Sequence, residues 1–275
     1  MDLLIWGGPV FAPGSSPYPK GDVGKVAWEN PTEILTISGD GSSYFAGLAE
    51  EFRDPSSGRV LPGLLKFHGK SASDYDKIAI AGFSAFHGLA NQLLRSDGDK
   101  ISAAVLLDSC FSAAEGYQGK QGYVDFGRQA VAGEKLLVMT ASNGRNSPPL
   151  PPSSSGSECA LTTFNDATGG VYEWFDVPPG LPDIAAFSSD RSDAGARSIR
   201  SGDFFLLDYS GTMLHHQHVN EISVEVLQTF LAPYLGEDFA YSSASSPFSA
   251  RNLGLVAGAL GVSLALYFLL RKPKS

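Results

Sequence analysis

The segment from Asp76 to Arg95 (DKIAIAGFSAFHGLANQLLR) constrains this chain more than any other. It opens as an apolar run of strand length, Gly82 permits a tight backbone, and an amphipathic helical pattern follows. Ser84 sits at the join. A serine on a strand-to-helix turn stands at the carboxyl edge of a sheet, above the positive end of the helix. A second apolar run, Lys100 to Asp108 (KISAAVLLD), begins 16 residues after Ser84. Strand, turn, helix and strand in this order predict an α/β fold with a mostly parallel central sheet flanked by helices. Ser84 has two readings at this stage: an exposed nucleophile, or the helix N-cap that serine often provides.

The remaining pattern fits one large domain over residues 1–240, and 275 residues are enough to bury a full core. Leu3 to Trp6 and Glu33 to Ser38 read as strands, and Ser43 to Phe52 as a helix. Val60 to Phe67 reads as a strand weakened by Pro62 and Gly63. Only eight residues, Gly69 to Asp76, then precede the strand at 77–82, too few for a parallel crossover, so these two segments conflict. Further on come a helix near 123–132, a strand at 135–140, a strand at 203–208 and a final helix at 220–235. Residues 142–202 read as an irregular insertion or flap. Its Tyr172, Trp174, Phe175 and Phe187 either line a pocket or pack a small core of their own.

The tail departs from this composition. Residues 253–270 (LGLVAGALGVSLALYFLL) carry no charge, and as a helix they span roughly 27 Å, close to the hydrocarbon thickness of a bilayer. They predict a single-pass anchor, joined to the domain by a Ser/Ala-rich linker at 241–252 and followed by a basic tail at 271–275. Gly254 and Gly258 have the spacing that permits helix pairing in lipid, hence self-association. Basic residues after the span favour a cytoplasmic tail with the domain outside. The first 14 residues lack the basic and apolar regions of a signal peptide, which points the other way. All 29 acidic residues precede position 251, against 16 basic ones, so the domain carries a formal charge of −13. Such a surface repels phosphate backbones and argues against nucleic acid as a partner. Two cysteines, Cys110 and Cys159, are too few for a disulfide framework.

The strand, the Ser84 turn, the helix and the following strand resemble the α/β-hydrolase family of serine esterases and lipases over roughly residues 33–235. That family's turn reads Gly-x-Ser-x-Gly, whereas here Phe86 replaces the second glycine and would crowd the neighbouring strand. The resemblance implies a histidine base between the last strand and the last helix. That loop, Tyr209 to Val219, holds His215, His216 and His218, with His215 or His216 at the usual distance. It implies an acid to orient the histidine. The position after the strand ending at Thr140 offers only Ser142-Asn143-Gly144, so Asp108 takes the role, with Asp166 and Asp176 as outside candidates. It implies an oxyanion hole from the Ala85 N–H and a donor in the turn Gly39-Asp40-Gly41-Ser42. The activity implied is hydrolysis of a small-molecule or lipid acyl ester, with no metal or organic cofactor.

Three other readings compete. His68-Gly69 and Asp108-Ser109-Cys110 resemble the signatures of a caspase-like cysteine peptidase. His215, His216 and His218 could ligate a metal, although no matching cluster is visible elsewhere. Phe86 and the absent acid favour a hydrolase-like fold without catalysis, serving as a membrane-tethered binding module.

Overall fold

The apolar runs pair into a single sheet. The structure, a computed structural model, describes residues 1–9, 23–39, 42–110, 120–141, 156–175, 181, 196–209 and 222–236. Its strands are β1 (Asp2–Pro9), β2 (Thr32–Gly39), β3 (Ile78–Phe83), β4 (Ala103–Leu107), β5 (Leu136–Ala141), β6 (Glu173–Trp174), β7 (Ala196–Ser201) and β8 (Phe204–Tyr209). They lie in the order β2-β1-β3-β4-β5-β8-β7-β6. The six from β2 to β8 are parallel, and β7 and β6 extend the sheet antiparallel at one side. Buried on both faces, β3, β4 and β5 read as continuous apolar runs, as parallel strands do.

Helices cover the two faces unequally. One face carries α1 (Ser42–Glu51), α2 (Leu61–Phe67), α3 (His87–Asp97), α4 (Gln121–Val131) and α5 (Gly156–Thr168). Ile78 and Ile80 of β3, Leu106 of β4 and Met139 of β5 share a core there with Phe45, Leu64, Leu93, Phe126 and Phe164. The other face carries α6, which starts at Ser223–Val226, widens to a π-helical turn over Leu227–Leu231 and closes at Ala232–Leu235. Phe230 of α6 packs its ring 5.0 Å from that of Phe205 of β8. The expected helix at 220–235 thus forms, with a widened turn in its middle. Met1–Asp238 makes one compact unit and Phe239–Ser275 is divided from it in the chain as a second. Among the described residues no helix is long and apolar enough to cross a membrane, and 253–270 lies outside them.

Two expectations are corrected. Val60 to Phe67 is not a strand: it forms α2, with Val60 as N-cap and Pro62 in the first turn, where a missing N–H costs nothing. Leu61, Leu64 and Leu65 are buried at helical spacing, so both faces of the segment need not be apolar. This removes the conflict over the eight-residue connection, because α1 and α2 together make the crossover from β2 to β3. The stretch 142–202 is also more regular than it reads. It contains α5, which buries Cys159, Ala160, Thr163 and Phe164, and the strand β7, which turns into β8 through Gly202 at φ 56°.

A buried carboxylate ties α2 to α3. Asp97, fully buried at the end of α3, accepts the N–H groups of Val60 at 2.9 Å and Leu61 at 3.0 Å and the Ser96 hydroxyl at 2.6 Å. Arg59 faces its other oxygen at 3.7 Å. Replacing Asp97 with Ala strands these donors at the start of α2. Urea denaturation is expected to show a loss of about 3 kcal/mol, with Asp97→Asn losing less because it keeps one acceptor.

Candidate active site

Ser84 follows β3 directly and begins a 3-10 turn, Ser84–Phe86, that leads into α3. Its φ is +52°, a left-handed backbone that few non-glycine residues adopt. Phe83 and Phe86 occupy the N-cap positions of the short turn and of α3. An N-cap serine has extended backbone, so the capping reading of Ser84 does not fit this geometry. Ser84 and Ala85 are half-buried, whereas the strand before them and the residues from Phe86 to Asn91 after them are buried. The turn therefore leaves Ser84 and Ala85 more exposed than the described residues that flank them.

Room for Phe86 comes from another strand. Gly7 of β1 pairs with Gly82 of β3, and a Cβ at either position would fall inside the Phe86 ring. The ring lies fully buried over this Gly–Gly pair, and edge-on to Phe45 of α1 at 5.7 Å. β1 keeps its register with β3 from Leu3 to Gly7, so the strand is not displaced. The crowding anticipated from Phe86 alone is absorbed by Gly7.

Hydrogen bonds hold the strained turn. The Ser84 carbonyl accepts the Ser109 hydroxyl at 2.9 Å, and His87 Nδ1 lies 3.2 Å from the same oxygen. Tyr123 of α4 donates its hydroxyl to the His87 carbonyl at 2.9 Å. Burial holds the His87 imidazole below the usual histidine range, and the contact with the Ser84 carbonyl opposes this in part.

Asp108 stands beside Ser84. Phe83 and Leu107 are paired across β3 and β4, so the two residues follow neighbouring positions on adjacent strands. Asp108 has φ +44° and, with Ser84, is one of two such non-glycine residues among those described. Its N–H donates to both the carbonyl oxygen of Thr140 at 3.0 Å and its hydroxyl at 3.1 Å. The carboxylate is fully buried. Two residues on, Cys110 forms a disulfide with Cys159 of α5. This overturns the caspase-like reading, since Cys110 is no free thiol and is buried. His68, for its part, is exposed at the end of α2 near the edge where the parallel strands begin, opposite Cys110.

The other expected residues fall variously. Ala85 follows Ser84 and presents its N–H at the same turn. Gly39 ends β2, which pairs with β1 and not with β3. Two strand spacings, about 9.5 Å, separate it from the Ser84 turn, more than a shared oxyanion site allows. The strand end beside Ser84 on that side belongs to β1, at Gly7-Gly8-Pro9. Asp40, Gly41, His215, His216, His218 and Asp176 lie outside the described residues, and so does the metal reading of the histidines. Asp166 lies in α5 near its end, where its carbonyl accepts from Arg128 at 3.5 Å. Sequence reasoning missed Gly7, Ser109, Tyr123 and Thr140. Only the Gly-Gly pair closing the first strand left a local signal.

No family model and no curated protein matches the chain.

Gly7→Ala should push Phe86 off its seat and cost at least about 2 kcal/mol in urea denaturation, with Gly7→Ala/Phe86→Ala losing less than the two single changes summed. A second expectation concerns pH. Below about 6.5 the unfolded chain takes up a proton that buried His87 resists, so stability falls with falling pH, by at most about 1.4 kcal/mol per unit from this residue. Thermal melts of His87→Gln should show a shallower fall between about pH 6.5 and 5.

Proposed function

We propose that this chain is a membrane-anchored serine hydrolase of α/β-hydrolase type. The observation that carries the reading is Ser84 at positive φ on a strand-to-helix turn, beside Asp108 at the end of the next strand. Strained backbone of this kind persists where its surroundings hold it, and it is concentrated at functional sites. Here Ser109, His87 and Tyr123 supply the hold.

In this reading Ser84 Oγ attacks an acyl carbonyl while a histidine of the 210–221 loop takes its proton. The tetrahedral oxyanion rests on the Ala85 N–H, and the proton passes to the leaving alcohol as the acyl-enzyme forms. Water, activated by the same histidine, releases the acid and restores Ser84. Asp108 orients the imidazole and balances its charge. The loop is bracketed by β8 and α6, the last strand and the last helix, and β8 ends at the same sheet edge as β3 and β4. The described chain enters the histidine-bearing segment from this edge at Tyr209, which supports His215 or His216 as the base.

The anchor at 253–270 completes the proposal. The Cys110–Cys159 disulfide supports a domain on the oxidising side of the membrane, in agreement with the basic tail on the cytoplasmic side.

A fluorophosphonate probe applied to the full chain should label Ser84 and leave Ser84→Ala unlabelled. Changing the base, His215 or His216, should slow labelling by roughly 10³-fold or more. A folded chain that takes no label would overturn the enzyme reading in favour of a non-catalytic, membrane-tethered binding module.

A further inference from the structure

We infer that the outer side of β2 is a dimerisation edge, where a second copy of this chain adds its own β2 antiparallel and joins the two sheets into one. The inference uses only the Met1–Asp238 unit and stands apart from the hydrolase reading. Among the described residues β2 is the last strand on its side of the sheet. It pairs with β1 over its full eight residues, Thr32 to Gly39. The last strand on the other side, β6, is only two residues long, and its Glu173 is drawn to Arg200 at 2.6 Å. Short and charged strands are how proteins blunt such a side against pairing. β2 has no such device: it contains no proline and no lysine, and its register with β1 runs without a bulge.

The direction of its backbone groups follows from β1. Asp2 donates its N–H to the Pro31 carbonyl at 3.0 Å, whereas Leu3 donates to the Lys77 carbonyl, just before β3, at 2.9 Å. Even-numbered residues of β1 therefore bond toward β2, and in a parallel pair each bridges two odd-numbered residues of that strand. Glu33, Leu35 and Ile37 thus direct their N–H and C=O groups at β1. Thr32, Ile34, Thr36 and Ser38 aim theirs outward, and Thr36 and Ser38 are exposed. A row of outward donors and acceptors is a template for a further strand.

That strand can be β2 itself. With a two-fold axis at Thr36, Ile34 stands opposite Ser38 of the second copy, and Leu35 stands opposite its Ile37. Ile34, Thr36 and Ser38 then exchange N–H and C=O groups with the same three residues across the axis, and the two Thr36 side chains meet. Leu35, half-buried at the margin of the core, gains an apolar neighbour. An axis at Leu35 would instead set the Glu33 carboxylate against Ile37. With the axis at Thr36, Glu33 faces Gly39, and Lys70 at 2.8 Å and the Tyr75 hydroxyl at 2.8 Å already hold its carboxylate. Two acidic domains therefore meet along a strand whose one charge is compensated.

The test is disulfide trapping of the purified full chain in mild detergent. Cys110 and Cys159 are joined and leave no free cysteine, so an introduced one is the only reactive thiol. Residues directly opposite in an antiparallel pair lie about 5.5 Å apart at Cα, within reach of a disulfide. On mild oxidation Thr36→Cys should form dimers at least about tenfold faster than Val171→Cys, a control 71% exposed beside β6. Ser38→Pro removes an outward N–H that β1 does not use. In the Thr36→Cys background it should leave the circular dichroism unchanged and slow cross-linking roughly tenfold. Ser38→Lys, which sets a charge on the exposed strand, should slow it likewise. Equal rates for Thr36→Cys and Val171→Cys overturn the inference, since association through the apolar run at 253–270 would raise both alike. Cross-linking of Thr36→Cys that neither Ser38 variant slows overturns it too.

Discussion

The seat of Phe86 over the Gly7–Gly82 pair is the contact on which the carboxyl edge of this sheet depends. A bulky ring one turn beyond Ser84 has to go somewhere, and β1 is the strand directly beneath it. Because Gly7 has no Cβ, the ring drops into the face of the sheet, and β1 and β3 stay in register beside it. α3 then starts close to its strand, and Ser84 is pinched between a buried strand and a buried ring. The backbone at Ser84 is left-handed there, a conformation worth of order 1–3 kcal/mol of strain.

What surrounds the turn converts this strain into rigidity. Ser109 grips the Ser84 carbonyl from the next strand end, and Tyr123 reaches from α4 to the first residue of α3. Asp108 is held by Thr140 from the other side. The disulfide from Cys110 to Cys159 closes the arrangement over a separation of 49 residues and draws α5 to the end of β4. In the chain-entropy model a loop of that size is worth about 4 kcal/mol through the unfolded state. Three consecutive residues, Asp108, Ser109 and Cys110, are thus each tied to a different element, and the edge beside Ser84 has little freedom to rearrange.

The two edges of the sheet differ in kind. At the carboxyl edge the strained residues, the disulfide and the hydroxyl of Ser84 gather on the central strands. At the amino edge the contacts are those of the fold: the Asp97 cap of α2 and the Lys77 clamp on the end of α6. A parallel sheet separates these roles because every strand starts on one side and ends on the other.

Much of this was legible in the residues. Each of β1, β3, β4, β5 and β8 announces itself as an apolar run, because a strand buried on both faces needs no polar alternation, whereas the edge strand β2 is recognised by its isoleucines and threonines. Ser84 is marked by Gly82 before it and the helical pattern after it. The segment 60–67 misled because eight mostly apolar residues hold barely two helical turns, too few for periodicity to separate helix from strand. β7 escaped because one of its residues, Ile199, is a large apolar one; its pairing with β8 and not its composition makes it a strand. Gly39 seemed a fitting oxyanion donor because the chain reaches it first, yet the sheet inserts β1 between β2 and β3. By itself, then, the sequence determined the elements, the order in which they occur and the serine at the turn, since these depend on neighbours a few positions away. Tertiary structure alone decided that Gly7 makes room for Phe86, that Cys110 meets Cys159, and that Asp108 stands beside Ser84. Those outcomes depend on which strands lie side by side, and strand order is set by packing the whole sheet rather than by any local stretch of it.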